Sequence, residues 1–312
     1  MAPKTDAEAG QRSASLPLAG LLMLIALTIV WGVNWPVMKL VLVEIPVWWF
    51  RAVCLIFGGF GLLAIALATG SRVFCRWYEV GPLILTTIFA VAGWHICSGY
   101  GVSLMPAGRA VIIAFTMPIW AALFAWAMLG ETLSRLKVLG LGLGVAGLAV
   151  LIGPDLAVLE TAPIGALFML GSAVCWGLGT VLFKRFNWTI PVVANMAWQL
   201  LISAVPVTAI ALAFEPVPDP LALSTPVAWS MVYILLLPMT FGQWAYFTIV
   251  RMFPASVAAL GTLAIPVVGV YSSALLLGEP IGAAEVLSLT LICAALAVIL
   301  VLPSVLARRS RA

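Results

Sequence analysis

Long apolar runs, separated by short polar or proline-containing segments, occupy the chain from Leu18 to Pro303. Each run is roughly 20 residues long, which is the length that an α-helix needs to cross the hydrocarbon core of a bilayer. The runs lack the alternating polar positions that mark the strands of a membrane barrel. We therefore predict an all-α integral membrane protein with ten transmembrane helices. These helices are predicted to begin near Leu18, Pro46, Gly81, Ala107, Val138, Pro163, Val192, Pro226, Ser256 and Ala283.

The second half of the chain repeats the pattern of the first half. At an offset of 145 residues, Trp31, Gly32, Lys39, Ile45 and Pro46 reappear as Trp176, Gly177, Lys184, Ile190 and Pro191. At an offset of 148 residues, Pro106, Ala107, Ala110, Pro118, Gly130 and Glu131 reappear as Pro254, Ala255, Ala258, Pro266, Gly278 and Glu279. Five helices per copy is an odd number, so the second copy is expected to enter the membrane from the opposite side. Inverted repeats of this kind are typical of transporters that work by alternating access.

Composition and charge indicate the environment and the orientation of the chain. The 312 residues are 64% hydrophobic and 8% charged, with a mean hydropathy of +1.20, so lipid rather than water is expected to surround most of them. With a cytoplasmic N-terminus, every Lys and Arg lies on the cytoplasmic side except Lys39, Arg51 and Arg109, which fall on the outer side or at outer span ends. This distribution follows the positive-inside rule. It predicts that both termini are cytoplasmic and leaves no basic face for a nucleic acid.

The predicted organisation has four parts. A disordered cytoplasmic tail covers 1–16, a first five-helix repeat covers 17–153, a second, inverted repeat covers 163–303, and a basic cytoplasmic tail covers 304–312. The acidic residues in the predicted outer loops are interpreted as solvated charges: Asp155, Glu160, Glu215 and Asp219. Glu131 and Glu279 are expected to cap helix ends. The five cysteines lack metal-binding spacing, so no metal or other cofactor is expected.

Three motifs stand out along the chain. Helix 1 carries Trp-Gly-x-Asn-Trp-x-x-x-Lys, helices 4 and 9 begin with Pro-Ala and have a proline in mid-span, and Leu-Gly-Glu closes both. These motifs resemble the EamA repeats of the drug/metabolite transporter superfamily, and the finer pattern is similar to the YddG-type exporters of aromatic and other amino acids. The resemblance implies ten helices, a central cavity lined largely by helices 1, 3, 4, 6, 8 and 9, and a bacterial inner-membrane location. Gly179 and Thr180 replace Asn34 and Trp35 in the second copy, so the halves are expected to contribute unequally.

Polar and aromatic side chains at membrane depth are the candidates for a substrate cavity, because polar atoms are costly to bury in a bilayer. His95 and Gln243 are equivalent at the 148-residue offset, and both are expected to face the central space. The alternative is that such side chains pack between helices or bond to a neighbouring helix. The predicted lining comprises Trp31, Asn34, Trp35, Met38, Trp94, His95, Ser98, Trp120, Trp176, Gln243, Trp244, Tyr246, Phe247 and Tyr271.

Charged residues and prolines at symmetric positions suggest roles at the mouths and inside two helices. Lys39 and Lys184 lie near opposite mouths. There they would attract a substrate carboxylate, gate by pairing with an acid, or act as snorkelling anchors. Pro118 and Pro266 are predicted to kink helices 4 and 9, because proline removes a backbone hydrogen bond.

These features predict an exporter of aromatic and other neutral amino acids and related small metabolites, working by alternating access. No Asp or Glu lies near the middle of a predicted span, which favours facilitated over proton-driven transport. The alternative is a multidrug or lipophilic-cation exporter on the same fold, with or without proton coupling. An enzyme is disfavoured because His95 has no carboxylate partner in sequence reach. The expected partners are a small-molecule substrate and lipid, with no nucleic acid and no obligate protein partner.

Overall fold

The computed structural model describes residues 18–131, 135–157, 164–252, 255–298 and 302. Within these residues the regular elements are helices, and no strand occurs. We label the helices α1 to α10 in chain order and count a helix with an irregular internal turn as one. Their bounds are Leu18–Val41 (α1), Val47–Ala68 (α2), Trp77–Leu104 (α3), Ala107–Leu129 (α4), Arg135–Ala157 (α5), Ile164–Arg185 (α6), Val192–Phe214 (α7), Thr225–Leu236 continued by Leu237–Gly242 and Gln243–Met252 (α8), Ala255–Leu277 (α9) and Ala283–Leu296 (α10). The predicted tails at 1–16 and 304–312 lie outside the described residues.

Within the part of the chain that the structure describes, seven helices are long and apolar enough to cross a membrane, namely α1, α2, α3, α4, α6, α7 and α8. Two shorter apolar segments, Ala264–Leu277 and Ala283–Leu296, belong to α9 and α10. Large apolar side chains such as Leu22, Phe57 and Phe60 are more than half exposed, as expected for a surface that meets lipid. The prediction of an all-helical, multi-pass membrane protein is therefore confirmed, whereas the count of ten spans and the side of the termini stay predictions.

The helices that pack most extensively come from different halves of the chain: α2 packs on α7, α1 on α9, α5 on α10, and α3 on α6. Glycines allow these close approaches. A Cβ at Gly59 would lie 2.6 Å from Leu201, and a Cβ at Gly179 would lie 2.5 Å from the backbone of Ala90. Small residues are the usual means by which membrane helices approach closely.

An irregular turn interrupts α3 and α8 at equivalent places. Ile88–Gly93 and Leu237–Gly242 are π-helical, with one extra residue in the hydrogen-bonded ring. In α8, Pro238 has no backbone N–H to donate. Close by, the Thr240 hydroxyl donates to the Leu235 carbonyl at 2.8 Å. Each π-turn ends immediately before a helical segment that begins at Trp94 or Gln243.

Helix α4 is also interrupted, close to one of the two prolines with a predicted kink. Its first segment is Ala107–Ala114, and after a two-residue break its second segment is Met117–Leu129. In the turn between them the Thr116 amide donates to the Ile113 carbonyl at 3.0 Å, and Pro118 is the second residue of the next segment. By contrast, α9 runs without interruption through Pro266. The two halves therefore differ in backbone structure at this equivalent position.

Candidate functional site

A cavity of about 370 Å³ lies between the two halves of the chain. Ten of the predicted residues line it: Trp31, Asn34, Trp35, Met38, Trp94, His95, Ser98, Trp176, Gln243 and Tyr246. Helices α2 and α7, which were not expected to contribute, also line the cavity. Lining residues that the sequence reasoning missed include Phe50, Arg51, Phe115, Met117, Phe183, Val192, Met196, Gln199, Pro238 and Ile265.

Three predicted residues do not line the cavity. Trp120 hydrogen-bonds one turn back on its own helix and packs against α6, and Trp244 packs in a separate apolar cluster between α1 and α8. Tyr271 is 55% exposed on the outside of α9. It is six residues from the lining residue Ile265, which places it roughly 120° away around the helix. The side chain of Phe247 lies outside the described residues.

Equivalent positions of the two copies surround the cavity. The pairs that line it at an offset of 145 or 148 residues are Trp31 and Trp176, Asn34 and Gly179, Trp35 and Thr180, Met38 and Phe183, Arg51 and Met196, Ala90 and Pro238, His95 and Gln243, Ser98 and Tyr246, and Met117 and Ile265. The cavity is therefore shared by both halves and does not belong to either one. The two halves contribute unequal chemistry to the cavity, because several polar or charged residues in one half correspond to an apolar residue in the other half.

Aromatic rings from three helices form one wall of the cavity. The rings of Trp35 and Trp94 meet edge to face with centroids 6.5 Å apart, and those of Trp94 and Trp176 are 4.9 Å apart. On another side, Trp31 and Tyr246 are 5.5 Å apart. Such rings offer a large apolar surface that holds flat or hydrocarbon groups by dispersion.

Arg51 is the main polar lining residue that sequence reasoning missed. It is the fifth residue of α2, near one end of the helix, and its side chain is buried in the bundle. Its Nη2 donates to Ser98 Oγ at 2.8 Å and approaches Met38 Sδ at 3.1 Å, while Nη1 lies 3.4 Å from His95 Nδ1. The signal was available, since Arg51 follows Pro46 by five residues and so lies inside the predicted span, where an ionisable group suggests function.

Several glutamates lie at the ends of the bundle, not in the cavity, and connect its two halves there. Four of them accept hydrogen bonds from backbone amides at or just before the start of a helix in the opposite half, where the amides have no partner within the helix. Glu44 accepts from Ser224, Glu79 from Thr189 and Ile190, Glu215 from Trp48 and Trp49, and Glu279 from Ala107 and Gly108. The interpretation of Glu215 as a solvated loop charge is therefore wrong, because it caps α2.

The two symmetric lysines make different contacts, and neither lines the cavity. Lys39 Nζ donates to the carbonyls of Val102 and Met105, both at 2.8 Å, and so caps the C-terminal end of α3. Lys184 forms a salt bridge with Glu131. Hydrogen bonds from Lys184 and Lys137 lower the pKa of Glu131 below its ordinary value. Glu131 thus joins the two halves at one end of the bundle.

Comparison with known proteins places this geometry in a family. The sequence model described as the EamA-like transporter family matches the chain twice, over residues 18–153 and 163–301. A solved structure, described only as a crystal structure of a protein, superposes with a TM-score of 0.66 at 23% identity, covering 94% of this chain and 99% of that one, and supports the fold alone.

Sequence relatives agree with the family match. The chain is 31% identical over 261 residues to "Uncharacterized transporter YvbV" of Bacillus subtilis, covering 83% of this chain and 84% of the relative. It is 26% identical to a "Probable amino-acid metabolite efflux pump" of Salmonella typhimurium, covering 86% and 90%. It is 25% identical to a protein of the same description from Escherichia coli, covering 85% and 89%. With both halves matched and a transporter related over most of its length, the chain belongs to the EamA-like transporter family.

Proposed function

We propose that this transporter exports neutral amino acids, aromatic ones among them, and related small metabolites by alternating access. The observation that carries the proposal is the aromatic-lined cavity, which equivalent positions of both copies surround. Its volume, about 370 Å³, suits one small molecule rather than a polymer. The description of two relatives as probable amino-acid metabolite efflux pumps supports the substrate class.

The proposed topology has ten spans in two inverted five-helix repeats, with both termini in the cytoplasm of a bacterium and the helices in its inner membrane. An odd number of spans per copy supports the inversion, and the distribution of Lys and Arg supports the orientation. Inversion matters for mechanism because exchanging the conformations of the two halves turns a cavity open on one side into a cavity open on the other.

Unequal contacts of equivalent charged residues support such an exchange. Glu131 and Glu279 are equivalent, as are Lys39 and Lys184. Lys184 pairs with Glu131 at one end. At the other end, Glu279 accepts hydrogen bonds from the first amides of α4, while Lys39 caps α3. We infer that this asymmetry belongs to one of two states and that the reverse state exchanges the two sets of contacts.

We propose that transport is facilitated, driven by the substrate gradient and not by protons. Among the described residues that line the cavity there is no Asp or Glu, the groups that a proton-driven carrier most often uses. The alternative cargo, a lipophilic cation, would be held by the aromatic rings. It would also meet the positive charge of Arg51, so the lining favours the amino-acid proposal.

The test is substrate uptake into proteoliposomes that contain the purified protein, compared with protein-free vesicles. Phenylalanine, tryptophan, methionine and threonine are each supplied with and without a pH gradient. We expect saturable uptake of at least one of them without a gradient, and little competition by lipophilic cations. Uptake that requires the gradient would contradict facilitated transport, and no uptake of any of the four would contradict the amino-acid assignment.

A further inference from the structure

Arg51 is a buried cation in a membrane-spanning helix, and no carboxylate among the described residues forms an ion pair with it. Only 4% of its surface is exposed. A buried guanidinium without a counter-ion carries a large desolvation cost. Ionisable groups at membrane depth usually mark substrate or ion sites. The missing negative charge is therefore expected to come from whatever occupies the cavity.

The neighbours of Arg51 position its side chain without saturating its donors. A guanidinium carries five N–H donors, and a carboxylate binds it through two parallel hydrogen bonds. Among the described residues, Ser98 is the one strong acceptor that it reaches, because the Met38 thioether accepts weakly and the contact with His95 is long, at 3.4 Å. Buried Nε has no hydrogen-bond partner. Gly99 leaves room for the side chain, since a Cβ there would lie 3.0 Å from Nε.

The charge of the cavity indicates which anion fits. Arg51 is the one Lys or Arg among the lining residues that the structure describes, and Met196 occupies the equivalent position in the second copy. One positive charge matches a carboxylate, whereas a phosphate ester carries up to two negative charges and would leave one unpaired. The surrounding wall of Trp35, Trp94 and Trp176 suits an apolar body attached to that carboxylate.

A second polar group without a hydrogen-bond partner lies in the same cavity. The Oδ1 atom of Asn34 is buried and has no hydrogen-bond partner, and Asn34 lines the same cavity. It precedes Met38, whose sulfur touches Arg51, by one helical turn, or about 6 Å along α1. Residues four apart share one face of a helix, so Asn34 lies on the same side of α1 as the sulfur atom that touches Arg51.

We propose that Arg51 binds the carboxylate of the transported molecule and that Asn34 accepts a hydrogen bond from its α-ammonium group. The substrate class is then the monocarboxylate with a neutral side chain, either an α-amino acid or, with weaker binding, its deaminated analogue. That the bound carboxylate is the transported substrate rests on the proposed function. The binding site itself can be tested without measuring transport.

The experiment measures binding to the purified protein by the thermal shift and the change in tryptophan fluorescence. Four matched probes are compared: phenylalanine, 3-phenylpropionate, phenylalaninamide and 2-phenylethylamine. Wild type is expected to bind the two carboxylates and to bind the two amines at least tenfold more weakly, since a hydrogen bond between charged groups is lost. Arg51→Met is expected to weaken carboxylate binding about 10- to 100-fold. Arg51→Lys keeps the charge but not the two parallel N–H donors of the guanidinium, and it is expected to recover part of the carboxylate affinity.

Two further results separate binding from structural support. Arg51→Met, which introduces the residue of the equivalent position in the second copy, is expected to raise the unfolding temperature of the empty protein because it removes an unpaired buried charge. Asn34→Ala is expected to weaken phenylalanine binding about tenfold and to leave 3-phenylpropionate unchanged. The control Lys39→Met removes the same charge outside the cavity and is expected to lower stability while preserving the preference for carboxylates.

Three results would overturn the proposal. Arg51→Met would bind carboxylates as well as wild type does, wild type would bind the amines as well as the carboxylates, or wild type would bind neither carboxylate. Carboxylate binding that depends on Arg51, found together with no amino-acid uptake, would support this site and contradict only the proposed function. Conversely, amino-acid uptake that is the same in wild type and Arg51→Met would support the function and contradict the site.

Discussion

At the scale of single residues, Glu131 shows how charge joins the two halves at one end of the bundle. Lys184 and Lys137 donate to its two oxygens, and these hydrogen bonds lower its pKa. The contribution to stability is then fully present above the ordinary carboxyl pKa of 4.5 and is lost as the pH falls through the lowered value. Because Lys184 is 67% exposed, that contribution is modest, about 1 kcal/mol or less.

We expect Glu131→Gln to unfold at a lower temperature than wild type at pH 7, and this difference to shrink as the pH falls below 4.5. Thermal unfolding in detergent across a pH series measures it. In Lys184→Gln the pKa of Glu131 is expected to lie closer to its ordinary value, so the stabilisation is lost at a higher pH than in wild type. A difference between wild type and Glu131→Gln that stays constant down to the acid limit would contradict this account.

Individual cavity residues were predictable where burial of a polar group is itself informative. His95 and Gln243 were placed together because single polar side chains in apolar runs are rare and occupy equivalent positions. Arg51 was missed because arginine near the start of a span commonly extends to the interface. Tyr271 was misplaced because an aromatic residue is equally favourable facing lipid, and its place around the helix depends on packing that the sequence pattern does not reveal.

At the scale of elements, carboxylates and glycines join the halves. Glu79 and Glu215 each cap a helix start in the opposite half, so the ends of helices are fixed across the interface. In the interior, Gly179 brings α6 against Ala90, which lies in the π-turn of α3. Both Gly179 and Ala90 line the cavity. The shape of the cavity therefore depends on this close approach.

Gly179→Ala is expected to destabilise the protein by about 1–3 kcal/mol, because the new methyl group would overlap the backbone of α3. The same change is expected to lower substrate affinity by moving Trp94, the residue after the π-turn. The matched control is Gly142→Ala in α5, where a Cβ meets nothing within 4 Å. Thermal unfolding in detergent measures the effect, and equal stability of the two variants would show that α3 and α6 do not need this contact.

The bounds of long helices could be read from apolar runs and flanking prolines, whereas their internal irregularities could not. Pro118 correctly marked the region where α4 is interrupted, but the equivalent Pro266 lies in a continuous helix. The π-turn at Ile88–Gly93 contains no proline, so no residue type signals it. Such turns depend on contacts with neighbouring helices, here the contact between Gly93 and Cys175 on α6.

At the scale of the whole molecule, one cavity is shared by two related halves whose end contacts differ. Glu131 pairs with Lys184, while the equivalent Glu279 caps α4. A carrier that exchanges these two arrangements would move one substrate molecule at a time, bound in the cavity that Arg51 and the aromatic residues line. A channel with the same lining would instead need both ends open at once. We therefore expect a single binding site that is exposed to the two sides of the bilayer in turn.

Counterflow in proteoliposomes tests this claim most directly. Vesicles preloaded with unlabelled phenylalanine are diluted into a trace of labelled phenylalanine, without a pH gradient. Wild type is expected to accumulate label transiently above its external concentration, because outgoing substrate returns the carrier to face the label, and Arg51→Met is expected to lose most of this accumulation. Simple equilibration without overshoot would contradict alternating access, and overshoot that is unchanged in Arg51→Met would contradict the assigned site.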